Sequence, residues 1–176
     1  MVFVDNGTIR TWCGQYLPVR APGSFFVNMG MASMGWATAA VIGGKLARPD
    51  RAAVALVGDA AFAMNGMEVH TAVEHKVPVT WIVLNNGGHG MIYHGERAQF
   101  GGKFRSSVFS RALDIAEVAR GLGARALRVE HPGELAAALA SAPADGPLVL
   151  DVLADLTEPP PMGARVRALT RELAVA

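Results

Sequence analysis

Two apolar runs with a helical stretch between them dominate the middle of the chain. The runs are Ala52–Val57 and Val79–Leu84, and the stretch covers roughly 66–75. Apolar runs of this length, separated by a helix, predict a strand–helix–strand unit. In such a unit the two strands are parallel, so they end at the same edge of the sheet.

The same pattern predicts further elements on both sides of this unit. We expect strands at 2–4, 25–27, 126–129 and 147–152. We expect helices from the 5–7 turn to about Tyr16, over 34–46, 89–96 and 113–120, and one opened by Pro132, with loops at 18–23 and 97–110. Alternating strands and helices predict a three-layer αβα fold with a mainly parallel sheet. This domain would cover 1–156, followed by a tail over 157–176 with a short helix from Ala164.

Composition limits the classes of function. The 176 residues suit one domain, and 51% hydrophobic with 18% charged residues indicates a globular chain. A net charge of +1 with dispersed basic residues gives no electrostatic case for nucleic acid or an acidic membrane surface. Cys13 is the only cysteine, which excludes an internal disulfide and fits a cytoplasmic protein.

One stretch raises the question of a membrane helix, because residues 21–44 contain no charge. Pro22, Asn28 and several glycines interrupt it, so we interpret it as a buried strand, a glycine-rich loop and a buried helix. The start of the chain does not resemble a signal peptide, because Asp5 interrupts the apolar residues and no basic segment precedes them.

Polar side chains follow the two central strands. Gly58 and Asp59 come directly after the first, and Asn85 and Asn86 after the second. Ligands of parallel sheets bind outside the carboxyl ends of the strands. A carboxylate and an amide oxygen meeting there would suit Mg²⁺, which prefers oxygen ligands and is often shared with substrate phosphates.

This spacing resembles the signature of thiamine diphosphate (ThDP) enzymes, and the resemblance is closest to the acetolactate synthase group. It extends over roughly residues 2–162. Further similar pieces are Gln15–Pro18, Gly30–Gly35, Asn65–Glu68, Gly90–Met91 and Phe100–Phe104. The resemblance implies the ThDP-binding fold, here its diphosphate-binding domain, with ThDP and Mg²⁺ as cofactors. The alternative for Asp59 is a helix cap, and for Asn85–Asn86 a turn.

The resemblance assigns the metal to Asp59, Asn86 and the carbonyl of Gly88, with Gly58 preceding the site. Two residues depart from the family pattern, because Ala60 and Ala61 replace a usual glycine and a frequent serine. The Cβ of Ala60 would crowd the turn, and a hydroxyl contact to the diphosphate is lost at Ala61.

Further cofactor contacts follow from the same resemblance. Thr8 and Ile9 stand where synthases often carry Gln-His facing the diphosphate, and of the two only Thr8 can donate a hydrogen bond. Within Gly30–Gly35, the carbonyl of Ala32 would accept from the aminopyrimidine, and Met34 would wedge beneath the cofactor. By periodicity alone Met34 is a core residue.

The substrate side follows the metal site. His89, Gly90 and Met91 would border the cofactor, with His89 as a candidate catalytic proton donor. His94 is a second candidate, although either histidine has a plain alternative as a solvated helix residue. Acetolactate synthases often carry tryptophan at the position of Gly95, so an open acceptor pocket is expected. Lys103 and Arg105 are weaker candidates for binding an anionic substrate.

The family's catalytic glutamate lies on a pyrimidine-binding domain, and no glutamate here matches it. Glu68, Glu74, Glu96 and Glu117 are interpreted as surface or helix-pairing residues. The resemblance therefore implies a partner subunit that supplies the glutamate, in an α2β2 assembly active only as a complex. Met1 lies just before the first strand, which favours a split gene over a fragment.

The resulting hypothesis is a carboligase that decarboxylates a 2-oxo acid and transfers the acyl group to an acceptor carbonyl, with ThDP as electron sink. The alternatives are a simple decarboxylase of sulfopyruvate or phosphonopyruvate type, and a non-catalytic accessory subunit. A dinucleotide-binding domain is a weaker alternative, because no Gly-x-Gly-x-x-Gly follows the first strand.

Overall fold

The computed structural model describes residues 1–161 and contains one sheet of six strands. All neighbouring strands are parallel, in the order β2-β1-β3-β4-β6-β5. The strands are β1 (Val2–Val4), β2 (Phe25–Val27), β3 (Val54–Gly58), β4 (Thr80–Asn85), β5 (Arg125–Val129) and β6 (Leu148–Leu153). The predicted strands and the parallel sheet are confirmed.

Helices cover both faces of this sheet and complete the three layers. They are α1 (Thr8–Tyr16), α2 (Trp36–Ala47), α3 (Asp59–Asn65), α4 (Glu68–Glu74), α5 (Gly90–Gln99), α6 (Ile115–Gly121) and α7 (Leu135–Ala140), with a 3-10 turn at Pro132–Glu134. The α/β class is therefore confirmed.

Alternate residues of each strand point to opposite faces of the sheet, as the pleat requires. On one face Val57, Trp81 and Val149 pack with α2, α4 and α6. On the other face Val4 packs with α1, and Leu148 packs near α7. Both faces are covered, which explains why the central strands read as continuous apolar runs.

The sheet changes direction between β1 and β3. The chain leaves β1 through α1 to reach β2 on one side, and returns through α2 to β3 on the other. Open α/β sheets bind ligands in the crevice at such a switch point. The turns after β1 and β3, at 5–7 and 58–59, border this crevice.

Several predicted boundaries were wrong. The helix expected over roughly 66–75 corresponds to α4, and a separate helix, α3, precedes it and begins directly at Asp59. The helix expected from Met34 begins at Trp36, because Gly35 caps it with a left-handed φ of 82°. The helix expected to end near Glu96 continues to Gln99, so the following loop is shorter.

Two other predictions concern the uncharged stretch and the end of the chain. The uncharged stretch 21–44 forms a loop, β2, a second loop and most of α2. Within residues 1–161, no helix is long and apolar enough to cross a membrane. The helix expected from Ala164 lies outside the described residues.

Candidate active site at the carboxyl edge of the sheet

A cavity of about 560 Å³ lies at the switch point, beyond the carboxyl ends of β1, β3 and β4. The beginnings of α1, α3 and α5 form its walls, and the segment after β6 closes one side. All the cofactor and metal residues expected from the sequence line it, with the exception of Gly30. These are Thr8, Ala32, Met34, Gly58, Asp59, Ala60, Ala61, Asn86, Gly88, His89, Gly90 and Met91.

Asp59 is almost completely buried at the floor of the cavity. Its Oδ1 accepts from the backbone N–H of Ala60 at 2.8 Å. Its Oδ2 accepts from the N–H groups of Gly87 at 2.8 Å and Gly88 at 3.2 Å. The carboxylate therefore joins the end of β3 to the turn after β4. Since Oδ1 accepts only one of these bonds, it keeps capacity to accept another.

The Asn86 side chain contacts the same backbone N–H as Asp59, that of Gly88. Its Oδ1 also lies 3.2 Å from the amide nitrogen of Gly88. A carboxylate oxygen and an amide oxygen thus converge on one point, as the sequence predicted. They offer oxygen ligands only, which fits Mg²⁺. No group of three or more His, Cys, Asp or Glu side chains within the described residues could hold a metal.

Glycines allow the backbone to approach closely at this point. A Cβ on Gly88 would lie 2.2 Å from the carbonyl oxygen of Ser107, and one on Gly90 would lie 3.1 Å from Asn86 Nδ2 and Thr8 Oγ1. The backbone of Gly88 also bridges Val108. Glycine at position 88 lets the turn approach segment 107–108, and glycine at position 90 lets the start of α5 approach Asn86 and the start of α1.

Burial sets the electrostatics of the site. Desolvation raises the pKa of Asp59, while the N–H donors of Ala60, Gly87 and Gly88 act in the opposite direction. Desolvation also lowers the pKa of His94, which lies on the cavity wall, and the backbone of Glu158 partly offsets this.

The expected crowding at Ala60 is not found. Because α3 begins at Asp59, Ala60 lies in a right-handed helix and needs no glycine. Within residues 1–161, only Ala32 and Lys76 among non-glycine residues have a positive φ. Ala32 has a φ of 53°, an uncommon conformation for a residue with a Cβ. It stands where the resemblance places the carbonyl that faces the aminopyrimidine.

Asp5 and Asn6 hold the segment that carries Ala32. The buried Asp5 accepts from the N–H groups of Gly35 at 2.9 Å and Ala37 at 2.7 Å. Asn6 Nδ2 donates to the carbonyl of Ser33 at 2.9 Å. Desolvation raises the pKa of Asp5, and backbone N–H donors partly offset this.

The sequence interpretation assigned Asp5 and Asn6 only to a turn. A polar pair directly after an apolar strand was the available signal, and the same signal identified Asp59 and Asn86. Three charged residues on the wall were also missed, and these are Arg10, Asp155 and Glu158. The Arg10 guanidinium donates to Asn6 Oδ1 at 2.7 Å.

One cofactor candidate, Gly30, and three substrate-side candidates lie apart from the cavity. Gly30 is exposed in the loop before Ala32, and Gly95, Lys103 and Arg105 are not among the lining residues. Space is open around Gly95, since a Cβ there would meet nothing within 4 Å. His89 is at the cavity, and its ring packs edge-on against Phe109 at 5.2 Å between centroids.

Comparison with known proteins gives a consistent result. The family described as "Thiamine pyrophosphate enzyme, C-terminal TPP binding domain" matches residues 5–152. A provisionally named acetolactate synthase large subunit, IlvB2, of Mycobacterium tuberculosis is 40% identical over 157 residues, which are 88% of this chain and 28% of the relative.

Two further relatives differ in their named reactions. A sulfoacetaldehyde acetyltransferase of Alcaligenes xylosoxydans xylosoxydans is 35% identical over 147 residues, 81% of this chain and 23% of the relative. An acetolactate synthase of Bacillus subtilis is 32% identical over 158 residues, 89% of this chain and 27% of the relative. The chain thus spans about a quarter of the length of these relatives.

Proposed function

The chain belongs to the thiamine pyrophosphate enzymes, as a C-terminal cofactor-binding domain close to the acetolactate synthase group, and we propose that it works in a Mg²⁺-dependent carboligase. The enzyme would decarboxylate a 2-oxo acid and transfer the acyl group to an acceptor carbonyl. The observation that carries this proposal is the convergence of Asp59 and Asn86 oxygens at Gly88.

The metal and the diphosphate would share this end of the cavity. Asp59, Asn86 and the Gly88 carbonyl would hold Mg²⁺, which neutralises phosphate charge. The N-termini of α1 and α5 border the cavity, and neither has a side-chain cap. Free N–H groups at a helix N-terminus favour an anion. Thr8 adds a hydroxyl donor between the two helices.

The remaining part of the cavity suits the organic rings of the cofactor. Met34 gives it an apolar wall, and Ala32 lies directly before the segment that Asp5 and Asn6 hold through Ser33 and Gly35. When bound, ThDP supplies an electron sink for decarboxylation. His89 and His94 would donate or accept protons beside it, and Arg10 offers a cation to an anionic substrate.

We also propose that a pyrimidine-binding domain on a partner subunit completes the site and supplies the catalytic glutamate, in an α2β2 complex. Four methionines on the described surface support such a contact. The exposed fractions of Met29, Met31, Met64 and Met67 are 68%, 88%, 54% and 70%. Exposed methionines are common on surfaces that bind other proteins, because the side chain adapts its shape.

The test is titration calorimetry of ThDP with the assembled complex, with and without Mg²⁺. We expect binding that disappears with chelator and in Asp59→Ala. The matched control is Asp145→Ala, which removes an exposed aspartate before β6 and leaves binding unchanged. Equal ThDP binding by wild type and Asp59→Ala would refute the metal assignment, and no binding by wild type would favour an accessory subunit.

A simple decarboxylase acting on an anionic 2-oxo acid is the second candidate. Arg10 in the cavity favours an anionic substrate group such as a sulfonate or phosphonate. Product analysis with and without an acceptor carbonyl separates the candidates. A carboligase consumes the acceptor and forms a new carbon–carbon bond, whereas a decarboxylase releases the aldehyde at the same rate in both reactions.

A further inference from the structure

We propose that Asp151, acting through Asn85, is a positioning residue for the metal-binding turn Asn86–Gly88. The inference rests on the proposed function, because that function assigns the metal to this turn. Neither Asp151 nor Asn85 lines the cavity. Asp151 would therefore act on cofactor binding without touching the cofactor or the metal.

The register of the sheet brings the two side chains together. Val83 pairs with Asp151 and Asn85 pairs with Leu153, so Asn85 and Asp151 are diagonal neighbours on one face. Asn85 Nδ2 donates to Asp151 Oδ1 at 2.8 Å, and both residues are buried. On its other side, Asp151 Oδ2 lies 3.4 Å from the Ala116 amide nitrogen and 3.7 Å from an Arg128 guanidinium nitrogen.

The orientation of the Asn85 amide is set by two acceptors. Its Nδ2 donates both to Asp151 and to the carbonyl of Leu113, each at 2.8 Å. If the Asn85 amide were flipped, its Oδ1 would face both acceptor oxygens and could not donate a hydrogen bond to either. In the orientation present, Oδ1 of Asn85 is buried without a hydrogen-bond partner. Leaving an acceptor unpaired costs stability, so this amide is fixed at a local cost.

The contact with Leu113 connects this pair to the metal-binding turn. Backbone bonds join the segment before α6 to the turn, since the Phe109 N–H donates to Gly87 at 2.9 Å and the His89 N–H donates to Ser107 at 2.8 Å. Asp59 holds the turn from the other side. Asn85 ties segment 107–113 to β6, which sets where the Gly88 carbonyl and Asn86 lie.

The test measures Mg²⁺ affinity of the assembled complex at saturating ThDP. We expect Asp151→Ala and Asn85→Ala each to raise the apparent Kd for Mg²⁺ by about 10–100-fold, the usual cost of losing a residue that orients a metal ligand. The apparent Kd for Mg²⁺ of the double variant should exceed that of the weaker-binding single variant by no more than about threefold, since both residues act through one contact.

A matched control separates positioning from general destabilisation. Val149→Ala shortens a buried side chain on the same face of β6, one pleat before Asp151. It should lower the unfolding midpoint and leave the Kd for Mg²⁺ within twofold of wild type. Hydrogen exchange in the cofactor-free complex gives a second readout, and the Gly87 and Gly88 amides should exchange faster in Asn85→Ala than in Val149→Ala.

Unchanged Mg²⁺ affinity in Asp151→Ala, beside loss of binding in Asp59→Ala, would overturn this inference and leave the proposed function intact. Absence of Mg²⁺-dependent ThDP binding in wild type would instead overturn the proposed function. If Asp151→Ala does not fold, Asn85→Ala decides. Weakened Mg²⁺ binding with faster Gly88 exchange supports the inference, and wild-type values of both overturn it.

Discussion

Gly88→Ala tests the packing and the proposed chemistry of the candidate metal-binding turn in one experiment. An added Cβ would lie 2.2 Å from the Ser107 carbonyl oxygen, a backbone atom that cannot rotate away. The φ of Gly88 is not positive, so the effect is steric and not a matter of backbone strain. Either the turn or segment 107–109 must move.

The cost can be estimated from these contacts. Forcing an extra methyl group into a packed site costs about 1–3 kcal/mol. Moving Ser107 also weakens the His89–Ser107 backbone bond, present at 2.8 Å, at about 0.5–1.5 kcal/mol. Replacing glycine by alanine also reduces the conformational freedom of the unfolded chain, which offsets about 0.4–1 kcal/mol of this loss. We therefore expect the free energy of unfolding to fall by about 0.5–4 kcal/mol, and the Gly88 carbonyl to leave its position.

Urea unfolding followed by circular dichroism measures the stability, and calorimetry measures Mg²⁺-dependent ThDP binding. The control is Gly14→Ala, on the exposed side of α1, where a Cβ meets nothing within 4 Å. Better helix propensity should raise stability there by about 0.8–1 kcal/mol. Wild-type stability of Gly88→Ala would refute the packing argument, and lower stability with unchanged metal affinity would refute the role of the Gly88 carbonyl.

Three further predictions concern other parts of the chain. Burial raises the pKa of Asp5 above 3.8, so its stabilising contribution is complete below pH 3.8 and is lost as pH rises through the raised pKa. The difference in free energy of unfolding between wild type and Asp5→Asn, measured by urea unfolding, should therefore fall as the pH rises above 3.8. A difference that does not change with pH would contradict the raised pKa of Asp5. Burial raises the pKa of Cys13 from 9.0 to about 11, so at pH 8 iodoacetamide should label the native thiol at least about 100-fold more slowly than the unfolded one; equal rates would show that the thiol is accessible. Asn6→Ala removes the bond to the Ser33 carbonyl and should weaken ThDP binding about tenfold with unchanged Mg²⁺ affinity, whereas a loss confined to Mg²⁺ would place Asn6 at the wrong end of the cavity.

The sequence alone predicted the parts of the site that depend on strand ends. β3 and β4 are consecutive, apolar and parallel, so the residues that follow them had to share one edge of the sheet. This is why Asp59 and Asn86 were found as a pair. The resemblance added Ala32 and Met34, which do not themselves follow a strand end.

The sequence could not show contacts between elements distant along the chain. Asp5 reaches Gly35 and Ala37 because α2 packs beside β1, and Asp151 reaches Asn85 because β6 lies next to β4. Local sequence pattern predicts neither contact. In the second case, β6 comes after β5 in the chain and yet lies between β5 and β4 in the sheet.

Local periodicity determined the strands and helices of this protein, because each apolar run must bury its own surface. The tertiary structure alone decided which strand lies beside which. Through that order it brought the buried Asp151 within hydrogen-bond distance of Asn85, the residue directly before the turn that carries the candidate metal ligands.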